Sequence, residues 1–173
     1  MGIFSFLFKA KGRHGTHSPF AYSFVEKVLR EQEEMAYPKP IISLKREQKL
    51  AKALFRLFQY LNRSTLYLDR DTENNYSWLK SIARFQLISA SDPLAKDCLI
   101  VVDANSLEAY LTMFSDSELQ QCAFVVLHPN NKNKEVIQSF YDWKQFNCTI
   151  QTWDFSLLLY LDEFKRKQHF TLK

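Results

Sequence analysis

The segment CLIVVD, residues Cys98–Asp103, is a run of five apolar residues that ends in a carboxylate. A second run of this kind, CAFVVL, occupies residues 122–127. Short, continuously apolar runs are typical of strands buried on both faces, as in a parallel sheet covered by helices. Such sheets place their ligands at the carboxyl ends of the strands. The two runs therefore predict an α/β fold, with Asp103 at the edge where a ligand would bind.

Further strand patterns lie on both sides of these runs, and helical patterns separate them. Strands are predicted at residues 64–68, 85–89, 149–153, 155–161 and 168–172. The last two are joined by residues 162–167, and we expect them to form an antiparallel hairpin. The predicted architecture is a Rossmann-like, doubly wound sheet that ends in this hairpin.

Two helices are predicted before the sheet. Ser18 can cap a helix that has Pro19 at its first position and runs to about Met35. The second helix covers residues 44–61, where leucines form an apolar stripe, and its opposite face is expected to be solvated: Lys45, Arg46, Lys49, Lys52 and Arg56. Another helix is predicted at residues 131–146. We therefore expect a helical extension at 1–43 and a Rossmann-like domain at 44–173.

The composition limits which classes of partner and which cellular compartment we expect for this protein. The net charge of +4 is below the concentrated charge of a nucleic-acid-binding surface, so no nucleic-acid partner is expected. Three cysteines, an odd number set in apolar runs, indicate reduced core thiols and hence the cytoplasm. The start of the chain has its apolar residues before its positive charges, the reverse of a signal peptide.

Glycine is scarce in this sequence. The chain has three glycines in 173 residues, and none follows Gly15. Walker A loops, dinucleotide-binding loops and Gly-x-Ser-x-Gly elbows all need glycine where the backbone approaches a ligand or turns sharply. The body of the chain therefore contains none of these motifs.

Three segments carry a resemblance to a known family. RHGTHSPF at residues 13–20, LFRLF at 54–58 and KQHFTL at 167–172 resemble bacterial class I S-adenosylmethionine-dependent methyltransferase-like proteins that are common in the Bacteroidetes group. The resemblance covers nearly the whole chain in order and is strongest at its two ends. It implies a seven-stranded sheet with an antiparallel final strand.

The resemblance places the family's cofactor loop, of the form ELGTxxG, at residues 68–74, which here are LDRDTEN. Leu68 and Asp69 begin this segment, while Arg70 and Asn74 stand where the family has glycines. We expect side chains at these two positions to fill the space of the cofactor.

Two further family motifs are altered. Asp103 and Asn105 match a strand-ending DGNH motif whose glycine and histidine are absent here. In the segment that resembles DDIHWSKEM, the paired carboxylates have become His128 and Pro129. A related O-methyltransferase site uses such carboxylates to hold a divalent cation, so the resemblance implies no metal site here.

The altered motifs imply a methyltransferase-like protein that is non-catalytic and acts as a binding, regulatory or scaffolding module. No catalytic residue and no cofactor are then expected. The alternative is an active S-adenosylmethionine-dependent O-methyltransferase with a divergent cofactor loop, in which Asp103 and His128 are the candidate participants. We expect a protein partner or a homodimer formed through the N-terminal helices.

Several candidate positions have more than one interpretation. Asp103 either contacts a ligand or caps the following helix, and His128 either joins it as an acid/base or metal pair or is an exposed loop residue. Asp69, Asp71 and Glu73 are explained by stabilisation of a helix start. His14 and His17 are expected to support the first helix rather than bind metal.

The apolar cluster from Ile3 to Phe8 is followed by basic residues, a composition found in helices that lie on membrane surfaces. The same cluster can pack on protein. Contact with protein is favoured over contact with a membrane surface.

Overall fold

The computed structural model describes residues 18–30, 35–89, 93–128 and 138–172. Its helices are α1 (Pro19–Phe24, continued by a π-helical turn at Val25–Leu29), α2 (Lys39–Ile42), α3 (Gln48–Tyr60), α4 (Arg70–Asn75, followed by a 3-10 turn at Ser77–Ser81), α5 (Leu107–Met113) and α6 (Asp116–Gln121). Its strands are β1 (Thr65–Leu68), β2 (Phe85–Leu87), β3 (Cys98–Asp103), β4 (Ala123–Leu127), β5 (Cys148–Gln151), β6 (Phe155–Leu159) and β7 (Gln168–Thr171). A 3-10 turn at Phe140–Asp142 precedes β5.

The seven strands form one sheet in the order β2-β1-β3-β4-β6-β5-β7. Every neighbouring pair is parallel except the two that involve β6, which is antiparallel to β4 and to β5. The chain runs from β1 outward to β2 and then returns to β3 on the other side of β1. The fold is thus a mixed α/β sheet with helices, compatible with a Rossmann-like architecture, and all seven predicted strands are present.

The predicted C-terminal hairpin is wrong. Strand β6 does not pair with β7, because its two edges are already occupied by β4 and β5. The antiparallel hairpin is formed by β5 and β6, and β7 adds in parallel to the free edge of β5, with Ile150 opposite Phe170. The antiparallel strand is therefore β6 rather than the final strand of the chain.

Helix boundaries also differ from the sequence predictions. The first helix ends with the π-helical turn at Leu29, and Met35 is not helical. The helix predicted at 44–61 begins at Gln48, because the backbone of Glu47 is left-handed. Residues 131–137 of the helix predicted at 131–146 lie outside the described residues, and the 3-10 turn that follows ends at Asp142.

Two hydrophobic cores lie on the two faces of the sheet. The larger one contains Phe24 of α1, Leu54 and Leu57 of α3, and the inward side chains of β1, β3 and β4. The smaller one contains Leu107 and Leu111 of α5 together with Phe124. Helices cover both faces, which explains why β3 and β4 are buried along almost their whole length.

Three non-glycine residues among those described have positive φ angles: Glu47 at 43°, Asn62 at 50° and Asp97 at 55°. They stand at the start of α3, after its end and before β3, where many chains place a glycine. Within the described residues no helix has the length and apolar character needed to cross a membrane.

Candidate functional site

The predicted site residues lie along one edge of the sheet. Leu68 ends β1, Asp103 ends β3 and His128 directly follows β4, and these three strands are neighbours in the sheet. Because the chain leaves β1 in one direction and returns on its other side, a topological switch point lies between β1 and β3. Ligands of open α/β sheets bind at such a point, so this edge is the candidate functional site.

The backbone after β1 enters a helix at once. Asp69 is the N-cap of α4: one of its carboxylate oxygens accepts a 2.6 Å hydrogen bond from the Thr72 amide, and the other accepts a 3.0 Å bond from the Thr72 hydroxyl. Both residues are buried. Asp69 has an ordinary extended backbone, with φ at −75°. Residues 68–74 therefore form a strand end, a helix cap and a helix rather than an open loop.

The side chains of Arg70 and Asn74 are exposed on α4. The expectation that these side chains fill the space of the cofactor stays a prediction, because an exposed side chain can also occupy an open cleft. Residues 70–74 are helical, at the positions where the resemblance places the family's cofactor loop. Asp71 and Glu73 lie in the first turn of α4, as expected for carboxylates that stabilise a helix start, and Glu73 also forms an ion pair with Lys80.

Asp103 holds the turn that follows β3. Its Oδ1 atom accepts hydrogen bonds from the backbone amide of Asn105 at 2.9 Å and from the Asn105 side chain at 2.7 Å. This arrangement is an Asx turn, which fixes the chain just before α5 begins at Leu107. The capping interpretation of Asp103 is close to the observed role, although the carboxylate holds the turn rather than the first amides of the helix.

His128 is buried, with 1% of its surface exposed, so the interpretation of it as an exposed loop residue is wrong. Its Nε2 atom lies 2.9 Å from the hydroxyl of Ser156 on β6, and its backbone amide donates to the carbonyl of Asp154. Within the described part of the chain the buried Nδ1 atom has no hydrogen-bond partner. Burial lowers the pKa of His128 to about 4, and the imidazole is therefore neutral at physiological pH.

The structure does not join Asp103 and His128 by a hydrogen bond, because the first binds Asn105 and the second binds Ser156. Neither the Ser156 hydroxyl nor the Asp154 carbonyl is a carboxylate that would orient the neutral imidazole of His128 as a base. The proposed acid/base pair is therefore not assembled in this conformation. Each side chain instead stabilises its own junction at the carboxyl edge of the sheet.

A cavity lined mainly by charged residues borders the same edge, and it was missed from the sequence. It has a volume of about 600 Å³ and is lined by Lys45, Arg46, Glu47, Gln48, Lys49, Leu50 and Asp154. Asp154 lies in the turn after β5, whose carboxyl end meets the same edge as that of β3. Extending the strand-end rule from Asp103 to the residues after β5 would have found it.

Glu47 and Tyr76 connect this cavity to the strand ends. The indole of Trp78 donates a 2.9 Å hydrogen bond to the carboxylate of Glu47. The pKa of Tyr76 is raised by burial and then by the charges of Glu47, Asp103 and Asp154. The phenol thus stays protonated among three carboxylates. Together with the lysines of the cavity, these groups suit a polar, charged ligand rather than an apolar one.

Some predicted positions cannot be placed. Pro129, His14, His17 and the cluster at residues 3–8 lie outside the described residues. Among the residues that are described, no group of three or more His, Cys, Asp or Glu side chains is arranged to hold a metal ion.

Comparison of the chain with protein-family models, with curated proteins and with solved structures finds no match.

Proposed function

We propose that this chain is a methyltransferase-like protein that has lost methyl transfer and acts by binding, as a regulatory or scaffolding module. The resemblance of its sequence to class I methyltransferase-like proteins motivates the first half of the proposal. The hydrogen bonds of Asp69 support the second half, the loss of methyl transfer. Both of its carboxylate oxygens are used by Thr72, and α4 begins where a cofactor loop would run.

The residues present at this edge do not fit S-adenosylmethionine. The family's loop lets the methionine part of the cofactor lie against bare backbone, whereas Arg70 and Asn74 here carry side chains and stand on a helix. The position of the paired carboxylates begins with the buried imidazole of His128. No step of methyl transfer is therefore derived for this chain.

The direct test is a thermal-shift titration with S-adenosylmethionine and S-adenosylhomocysteine. A ligand at 100 times its Kd would stabilise the folded chain by about 2.7 kcal/mol. For a chain of this size that is a rise of roughly 5–11 °C in Tm. We expect no concentration-dependent rise from either compound. A rise that grows with the logarithm of ligand concentration above the Kd would support the alternative, an active methyltransferase with a divergent cofactor loop.

The role of Asp69 gives a second test. We expect Asp69→Ala to lower the free energy of unfolding by about 1 kcal/mol, the usual cost of losing an N-cap. Urea denaturation followed by circular dichroism measures this loss. Asp162→Ala replaces an exposed aspartate and should change stability by less than about 0.5 kcal/mol. An Asp69→Ala variant as stable as the parent would remove the capping role on which the proposal depends.

The binding half of the proposal includes a homodimer formed through the N-terminal helices. Sedimentation equilibrium of the full chain over a wide concentration range measures self-association. A dimer that weakens when exposed Tyr22 of α1 is replaced by alanine would support this form of the proposal. A monomer at all concentrations would leave only a different protein as the partner.

A further inference from the structure

Two cysteines face each other at the amino edge of the sheet, away from the candidate site. Cys98 begins β3 and Cys122 directly precedes β4. Since Leu99 pairs with Ala123, the two cysteines are opposite each other at the preceding position of the register. Neighbouring parallel strands lie about 4.8 Å apart, and a disulfide spans Cα separations of about 4.4–6.8 Å. The backbone therefore allows a disulfide here.

The sulfur atoms are already close. The Cys98 thiol donates a hydrogen bond to the Cys122 sulfur, with 2.8 Å between the two Sγ atoms. Both side chains are buried in the smaller core. Cys148, in contrast, belongs to the larger core on the other face of the sheet. The chain thus contains one adjacent pair of thiols and one separate thiol, which serves as an internal control.

The electrostatic surroundings favour ionisation of one member of the pair. The hydrogen bond from Cys98 lowers the pKa of Cys122 against the opposing effect of burial, and the positive charge of Arg63 lowers it further. The pKa of Cys98 is raised, first by that hydrogen bond and then by burial. The Arg63 guanidinium is held by Asp97 at 3.1 Å. Because the thiolate is the reactive form of cysteine, Cys122 is the expected nucleophile.

We propose that Cys98 and Cys122 are a redox-active dithiol that hydrogen peroxide, or a peroxide of similar size, oxidises to a disulfide. The Cys122 thiolate attacks one peroxide oxygen, the O–O bond breaks, and hydroxide leaves, giving a sulfenic acid. The Cys98 sulfur then attacks Cys122, its proton is lost, and the sulfenic hydroxyl leaves as water. The cysteines lose two electrons and two protons, and the peroxide becomes two waters. A small oxidant is required because both sulfurs are buried.

The test oxidises the folded, reduced, full-length protein with hydrogen peroxide and then alkylates the remaining thiols in urea. Digestion uses a protease that cleaves after glutamate, because Glu108, Glu118 and Glu135 separate the three cysteines into different peptides. We expect two of the three thiols to be lost, a mass decrease of about 2 Da for the two hydrogens, and linked peptides that contain Cys98 and Cys122. Reduction with dithiothreitol should restore all three thiols.

Variants assign the reaction to the pair. Cys148→Ser should form the same link as the parent, whereas Cys98→Ser and Cys122→Ser should form no internal link. Arg63→Gln should slow oxidation, and Arg63→Lys, which keeps the charge, should restore most of the rate. The proposal is overturned if peroxide leaves all three thiols of the folded parent free to alkylate. It is also overturned if the link includes Cys148, or if the parent stops at a sulfenic acid without a link.

Discussion

The imidazole of His128 is enclosed at the junction of β4 and β6, with its Nε2 atom against the Ser156 hydroxyl. A charge on this ring would have no water around it, which is why burial holds its pKa at about 4. In the unfolded chain the same group titrates near 6.5. The difference between these two values makes the stability of the fold depend on pH.

We expect the free energy of unfolding to fall as pH is lowered from 6.5 to 4. Above pH 6.5 the group is neutral in both states. Between the two values the unfolded chain binds a proton that the folded chain excludes, so stability decreases, by about 3 kcal/mol in total. Urea denaturation at several pH values measures the slope.

The matched variants for this prediction replace one histidine at a time. His128→Gln should remove most of the pH dependence, whereas His169→Gln should keep most of it, because His169 is far less buried although burial also lowers its pKa. If the His128→Gln variant lost stability with pH as steeply as the parent, another group would be responsible for the effect.

The burial of His128 could not be predicted from the sequence. The residue directly follows a strand and precedes a proline, a setting typical of exposed loops. The side chain is buried against β6, where Ser156 lies 28 residues later in the chain. Local sequence patterns carry no information about such a contact. Asp103 and Asp69 were predicted more accurately, because turn and cap hydrogen bonds are made with residues two or three positions away.

Arg56 of α3 links three segments of the structure by hydrogen bonds. This residue was expected on a solvated face and is instead buried, with 4% of its surface exposed. Its Nε atom donates to the carbonyl of Val28 at 2.6 Å, and its two terminal nitrogens donate to Tyr37 and to the carbonyl of Leu29. These carbonyls belong to the π-helical turn, so Arg56 closes the end of the first helix.

We expect Arg56→Met to lower the free energy of unfolding by about 2–4 kcal/mol, because buried carbonyls lose a charged donor. Arg56→Lys should recover only part of the loss, since an ammonium group lacks the planar fork that reaches three acceptors. Lys49→Met, at an exposed position of the same helix, should change stability by less than about 0.5 kcal/mol. Equal stability of the Arg56→Met and Lys49→Met variants would contradict this role.

The pairing of the last three strands shows why a hairpin was assigned to the wrong pair. Three residues separate β5 from β6, a length typical of hairpins, whereas eight separate β6 from β7. The shorter connection therefore indicated that β5 and β6, rather than β6 and β7, form the hairpin. The positions of the strands themselves were predictable, because buried parallel strands are short apolar runs. Their order in the sheet depends on which edges remain free.

At the scale of the whole molecule, the N-terminal helices and the sheet share one core. Phe24, Val25, Val28 and Ile41 each have at most 2% of their surface exposed and pack in the same cluster as the inward residues of β1 and β3. Burying four such side chains contributes about 6–12 kcal/mol. The total stability of a domain is about 5–15 kcal/mol, so the predicted boundary at residue 43 falls within a shared core.

We expect a chain that begins at residue 44 to lose its fixed tertiary structure. Near-ultraviolet circular dichroism and urea denaturation should show a weak aromatic signal and no sharp transition, in contrast to the full chain. Ile42→Ala in the full chain, at a side chain that is 54% exposed, should unfold much like the parent. A sharp transition of the shortened chain near the parent's midpoint would instead make residues 44–173 an independent domain.

Three left-handed residues also affect the conformational entropy of the denatured chain: Glu47, Asn62 and Asp97. Each accepts local strain that a glycine would avoid. Each of these residues also samples fewer conformations in the denatured ensemble than a glycine would, which offsets part of that strain. The denatured chain is therefore less flexible at these positions, and folding loses less conformational entropy there.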